Sequence, residues 1–231
     1  MMFDTQEGSG REARTASWVA LAWVAALVAA LLLDGPVARA VAPWRGTVRQ
    51  SELAEEVKEG GHAGVTVVAA LLLVALHPHG WRAASLLASS ALVAGVMRSL
   101  IALAAGRVRP VVEVDPFTFF RFDAGLGGIL HARNLSFPSG HATLAFVTAY
   151  ALAHALGKGR WLFFGGAALV GVERVAESAH YLSDVVAAAL VATIAFRLAL
   201  RLHTRLWQEI DRRQSCFERR LASGPGTGSP A

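Results

Sequence analysis

Three clusters of polar residues interrupt an otherwise apolar chain. His180 and Asp184 lie four residues apart, one helical turn, so a carboxylate can rest against the imidazole. A carboxylate on one ring nitrogen fixes the tautomer and leaves the other nitrogen as a nucleophile. Upstream, Phe137-Pro138-Ser139-Gly140-His141-Ala142-Thr143 opens into the apolar run 144–156. A helix beginning at Pro138 points its first free N–H groups, and the positive end of its dipole, at whatever sits beside Ser139 and Gly140. Such a helix start suits an anion. His141, in the first turn, is placed to act as a general acid on a leaving oxygen. Arg107, Arg109 and Arg174 add forked donors that match phosphoryl oxygens. This is an inventory for phosphoryl transfer through a phosphohistidine, and it calls for no metal or other cofactor.

Taken singly, each cluster has a structural explanation: a helix-capping pair for His180 and Asp184, a snorkelling arginine for Arg174, a dipole-complementing charge for Asp184. The case rests on their meeting, and that depends on the elements that carry them.

Of 231 residues, 54% are hydrophobic and 17% charged. A soluble domain carries about a quarter charged residues. Mean hydropathy is +0.45, and the apolar residues come in long blocks, which indicates a membrane protein with one compact domain. The single cysteine, Cys216, permits no intrachain disulfide. There is no cysteine cluster for zinc, and the eight histidines do not fall at ligand spacing. The net charge of +5 sits mainly at block edges and in the C-terminal tail, where loop topology explains it better than nucleic acid does.

The blocks predict an all-α bundle of six transmembrane helices. Residues 1–14 read as a polar tail, 15–204 as the six-span domain and 205–231 as a basic, partly disordered tail. The first span is Thr15–Leu33, which is long for a signal-peptide core and lies well upstream of the loose cleavage-like Ala38-Arg39-Ala40. Residues 34–61 read as a mixed-charge connection with a short amphipathic helix at 51–59, ended by Gly60-Gly61. The second span is Ala63–Leu76 with its uncharged flanks, the third Ala83–Ala105, the fourth Pro138–Leu156, the fifth from Trp161 to Val172, and the sixth about Tyr181 to Leu200. Arg98, inside the third span, either snorkels to the interface or serves the site. His62, His154 and His203 read as structural or interfacial. Asp115, Arg121, Asp123, Arg133 and Glu177 read as solvated loop charges.

Six spans place both termini on one side. The tail arginines at 201, 205, 212, 213, 219 and 220 make that side cytoplasmic. The 106–137 loop, the start of the fourth span and the 174–184 connection then share the outward face, where the polar clusters meet.

Arg107-Val108-Arg109-Pro110, Pro138-Ser139-Gly140-His141, and Arg174 followed by His180 and Asp184 resemble the three signature motifs of the type-2 phosphatidic acid phosphatase superfamily, over roughly residues 50–200. Its members include lipid phosphate phosphatases, non-specific acid phosphatases, glucose-6-phosphatase and vanadium haloperoxidases. The resemblance implies that His180 is the nucleophile, oriented by Asp184, and that His141 protonates the leaving alcohol and later activates water. It implies that Arg109, Arg174, Ser139 and Gly140 hold the phosphoryl oxygens. Two positions depart from the pattern. The lysine that usually opens the first motif is Ala102, and the serine that commonly precedes the third-motif arginine is Glu173. Arg98 or Arg107 are the residues available to replace the lost lysine contact.

The expected protein is a membrane-embedded phosphatase acting on a lipid phosphomonoester or pyrophosphate at the outer surface of a prokaryotic-type cytoplasmic membrane. Its partners are the bilayer and a lipid phosphate, not nucleic acid. The alternatives are a phosphotransferase using the same site and a lipid-phosphate-binding relative with weakened catalysis. Headgroup and oligomeric state are not legible in the sequence.

Overall fold

The computed structural model describes residues 4–111, 115–119 and 135–222, and for 4–14, 16 and 220–222 the backbone alone. The central part of the 106–137 loop, with Arg121, Asp123, His131 and Arg133, lies outside the described residues, as do 223–231.

The described chain is helical: α1 (Asp4–Val41), a 3-10 turn (Ala42–Trp44), α2 (Arg45–Arg49), α3 (Glu52–Glu59), α4 (Ala63–Leu76), α5 (Gly80–Ala105), α6 (Gly140–Leu156), α7 (Arg160–Ala176) and α8 (Leu182–Ala222). Among the described residues the sole β feature is an isolated antiparallel bridge between Val108 and Leu135. Helices α5, α6 and α8 pack around one another, α4 against α5, α7 against α6, and α1 against α8.

The interior is built of small residues. Ala94, Ala188, Ala192 and Ala195 are fully buried beside Leu87 and Val147. Large apolar side chains point outward instead, among them Leu21, Leu71, Leu92, Leu162 and Ile194. Lipid solvates large apolar groups, so helix contact falls to small residues that allow close approach. Exposed Trp81 and Trp161 stand at the starts of α5 and α7, whose other ends lead to His180, and amphipathic rings there suit a membrane–water boundary.

Among the described residues, three stretches are long and apolar enough to cross a membrane, Ser17–Arg49, Gly80–Ala105 and Leu182–Arg219. The pair Glu52–Glu59 and Ala63–Leu76, bent by 56°, makes a fourth if taken as one span. Helices α6 and α7 have 17 residues each, about 25 Å at 1.5 Å per residue. They are joined by a turn in which Gly157 and Gly159 take left-handed φ of 66° and 74°, a region open to glycine without a Cβ penalty.

Several expected boundaries move. The helix of the expected fourth span, α6, starts at Gly140, not Pro138, because Ser139 keeps extended backbone (φ −64°, ψ 123°) and its side chain accepts from Ala142 N. The sixth continues past Leu200 to Ala222, so the basic stretch up to 222 is helix. Helix α1 starts in the polar tail at Asp4 and runs through Asp34 to Val41, taking in the start of the expected connection.

Candidate active site

The site forms where the end of α5, the start of α6, the end of α7 and the start of α8 converge. The turn from α7 to α8 is set by α7's own last carbonyls: Ala179 N and His180 N both donate to Arg174 O, at 3.1 and 3.2 Å. Ser178 there takes φ 59°, a left-handed conformation that a non-glycine residue holds only against a cost of order 1 kcal/mol. The chain is thereby bent back so that His180 is buried. Asp184 then caps its own helix, with Oδ2 accepting from Tyr181 N at 2.8 Å.

His180 Nδ1 lies 2.8 Å from Ser136 O and 3.5 Å from Asp184 Oδ2. Both are acceptors, so Nδ1 carries the proton and Nε2 keeps its lone pair. Burial pushes the His180 imidazolium below its usual range, against the opposing pull of Asp184 and the Ser136 carbonyl. Asp184 is fully buried and also accepts from Ser136 Oγ and, at 2.5 Å, from Arg107 Nη1. Burial raises the Tyr181 phenol to about 12, with Arg107 opposing.

Arg107 belongs to this scaffold. Its guanidinium lies between the Phe119 and Tyr181 rings, 4.6 and 4.1 Å from their centroids. Nη2 donates to Asp34 Oδ2 at 2.7 Å and to Pro116 O at 2.6 Å, and Nη1 also donates to Ser183 Oγ at 2.7 Å. With no exposure at all, it does not reach the cavity, which corrects its candidacy as a phosphate ligand. Asp34, which sequence reasoning placed in a connection, is 1% exposed and accepts from Ser183 N at 2.8 Å as well.

A cavity of about 570 Å³ opens beside this scaffold, lined by His180, Arg109, Gly140, His141, Arg98 and His62 together with small residues of α4 and α5. A larger one, about 700 Å³, lies between α1 and α8, but Arg197 is its sole titratable group, whereas the first gathers three histidines and two arginines. Arg109 Nε is buried with no hydrogen-bond partner. Burial and the charges of Arg98 and Arg174 disfavour the Arg109 cation. Asp184 and Glu177 oppose this only from a distance, and a half-buried guanidinium with no carboxylate paired to it among the described residues is costly and is relieved by an incoming anion. Arg98 donates from Nε to Pro138 O at 3.1 Å, which steadies the α6 start and leaves its terminal nitrogens to the cavity. The N–H groups of Gly140 and His141 head α6 beside it.

Two expected ligands are otherwise engaged. Ser139 Oγ caps Ala142 N at 3.5 Å, and Ser139 N donates to Asp184 O at 3.2 Å; the serine ties α6 to α8. Arg174 grips Glu173 through Nε and Nη2 at 2.6 and 2.7 Å and also pairs with Glu177. Glu177 in turn lies 3.6 Å from Arg49, so it is not a free loop charge. Among the described residues, no group of three or more His, Cys, Asp or Glu is placed to hold a metal ion.

The family model described as the PAP2 superfamily matches residues 82–208. The chain belongs to the PAP2 superfamily. A solved structure similar in fold is described as the crystal structure of the first transmembrane PAP2 type phosphatidylglycerolphosphate phosphatase from Bacillus subtilis. The likeness covers 80% of this chain and 94% of that one at TM-score 0.51 and 20% identity. No curated protein matches the chain.

The PAP2 match contains every candidate from Arg98 to Asp184. Asp34 and His62 lie outside it. In this PAP2 chain Ala102 is 1% exposed, one turn beyond Arg98 and facing the interior, and Glu173 is the direct partner of Arg174.

Proposed function

We propose that the protein hydrolyses a lipid phosphomonoester or pyrophosphate through a phosphohistidine, without a metal. His180 Nε2 attacks phosphorus while its Nδ1–H is held by the Ser136 carbonyl and Asp184. His141 gives a proton to the leaving alcohol oxygen, then takes one from the water that cleaves the phosphohistidine. Arg109, Arg98 and the N–H groups of Gly140 and His141 hold the phosphoryl oxygens. Ser139 sets the α6 start, and Arg174 adds its charge from behind the cavity. The reading is carried by one observation: an unpaired, buried Arg109 nitrogen in the same cavity as the free nitrogen of His180.

Six spans, both termini cytoplasmic and the His180 end facing outward complete the proposal. It is supported by the arginines of the α8 end, opposite the site. Small cavity-lining residues on α4 and α5, Ala63, Gly95 and Ser99, favour a substrate that enters from the bilayer.

Phosphate release from a panel of lipid phosphates by the detergent-purified protein in EDTA, with His180→Ala alongside, tests this. Release that survives EDTA and vanishes in the variant supports it; release abolished by EDTA overturns the mechanism. The Glu173–Arg174 pairing favours a second reading, a lipid-phosphate-binding relative with weakened turnover. Tight lipid phosphate binding without phosphate release would select it.

A further inference from the structure

The cavity contains a third imidazole. His62, at the head of α4, lines it together with His141 and Arg98. The two rings are 5.0 Å apart, centroid to centroid. His62 Nδ1 lies 3.3 Å from Glu59 Oε2, which leaves Nε2 as the nitrogen available to the cavity. Its position is sterically enforced. A Cβ on Gly61 would come within 2.7 Å of His141 Cβ and 2.8 Å of the His141 carbonyl oxygen, so the α3–α4 bend can press on α6 because residue 61 is glycine.

His141 and His180 differ in their backing. His180 has Asp184 behind it. The neighbours of His141 are the cations Arg98 and Arg109, and among the described residues no carboxylate bonds to its ring. An imidazolium in one cavity with two guanidiniums is electrostatically disfavoured, so the proton for the leaving group is better stored elsewhere. His62, whose ring adjoins that of His141, has a carboxylate, Glu59, in ion-pair distance.

We infer that His62, backed by Glu59, stores the proton that His141 delivers. At rest His62 is the imidazolium and His141 is neutral. As the His180 Nε2–P bond forms and the P–O bond to the lipid alcohol breaks, the neutral His141 ring passes its N–H proton to the departing oxygen. Its other nitrogen accepts the His62 proton. When water attacks phosphorus and the N–P electrons return to His180, the water proton goes to His141, whose opposite N–H proton returns to His62. His141 relays through its two nitrogens and never carries a charge in the cavity with the arginines. His62 acts through His141 and is a positioning residue for its proton. This rests on the hydrolysis proposed above.

The charged and titratable groups facing the pair are Glu55 and Glu59 from α3, Arg98 from α5, Arg109, Arg174 from α7 and His180. Of these, Glu59 is the one within ion-pair distance of His62.

The test compares two substrates with the full chain in detergent. One is a lipid phosphomonoester, whose alkoxide needs a proton to leave; the other is p-nitrophenyl phosphate, whose phenolate does not. His62→Gln should lower turnover of the lipid ester about 10- to 100-fold and change that of the aryl ester less than about twofold. It should erase the basic limb of the lipid-ester pH profile and add nothing in a His141→Ala background. Glu59→Gln, which leaves the ring in place, should shift the same quantities in the same direction by a smaller factor. Equal losses on both substrates would show a packing role and overturn the inference, as would no loss on either. A wild type that releases no phosphate, or an active His180→Ala, overturns the hydrolase reading instead, and the controls show it separately.

Discussion

The two walls of the cavity are built on opposite plans. Behind His180, every carboxylate is paired: Asp184, Ser136, Arg107, Ser183 and Asp34 form one buried chain linking the start of α8 to α1, in which Arg107 Nε alone lacks a partner. Facing it, Arg109 has an orphaned nitrogen, Arg98 spends one donor on a carbonyl, and among the described residues no carboxylate bonds to the His141 ring. The first wall fixes a nitrogen lone pair in space. The second offers donors with nothing yet to donate to. Substituting residues on each wall therefore separates positioning from binding.

The largest effect belongs at the junction of the two. His180→Ala should cut turnover about 10⁴-fold or more, with the melting temperature in detergent nearly unchanged. Residual activity within tenfold of wild type would place the nucleophile elsewhere. Next, Arg109→Ala removes an unpaired cation from the open wall. Phosphate release should fall about 10²- to 10³-fold, while thermal stability holds or rises because a poorly compensated charge is gone. A clear drop in melting temperature would mean that Arg109 has a structural partner.

Asp34→Ala acts on the closed wall and should do the reverse. It strands Ser183 N and removes the charged partner of Arg107 Nη2, which keeps only its bond to Pro116 O, for a loss of about 3 kcal/mol seen as a lowered melting temperature. Binding of vanadate, a phosphate mimic, should persist in the protein that remains folded. If stability is untouched, the Asp34–Arg107–Asp184 chain does not hold α1 to α8.

The same contrast predicts the acidic limb of the rate profile. His180 must be neutral at Nε2 to attack, and burial disfavours its imidazolium. Activity is therefore retained as pH falls through 6.5, the ordinary value for histidine, and is lost below it. Asp184 opposes that shift, so Asp184→Asn should move the limb further toward acid, besides slowing the reaction. A kcat/KM profile whose acidic limb lies above 6.5 contradicts the assignment.

How much of this the chain disclosed depends on sequence distance. The apolar blocks and the motif residues were legible because period and composition are local properties. Asp34 was not: an aspartate closing an apolar run looks like the end of a span, and its partner Ser183 lies 149 positions on. Arg107 and Arg109 both read as donors to the phosphoryl oxygens, Arg107 as a replacement for a lost lysine. A spacing of two along an extended chain aims side chains the same way, yet a single bridge at Val108 leaves the segment free to send one arginine inward and the other to the cavity. His62 read as structural or interfacial. Its relevance depends on a bend that brings α3 and α4 over α6, which no local pattern encodes.

Glu173 gives the smallest and most pointed test, because it makes Arg174 resemble the closed wall. The carboxylate takes Nε and one terminal nitrogen of Arg174, and Glu177 adds a second partner. Glu173→Ser removes the bidentate partner and leaves Glu177, so the guanidinium stays neutralised but regains donors. A charge-assisted bond gained by a bound anion is worth about 1.5–3 kcal/mol, less the reorientation of Arg174 and the weakening from Glu177. Vanadate should therefore inhibit Glu173→Ser about fivefold more tightly than wild type, a gain of about 1 kcal/mol. Unchanged inhibition would show that Arg174 acts only by its field from behind the cavity. Weaker inhibition would show that Glu173 is needed to hold the α7 end, with the Arg174 carbonyl that accepts from Ala179 and His180, in the shape that aims His180 at the substrate.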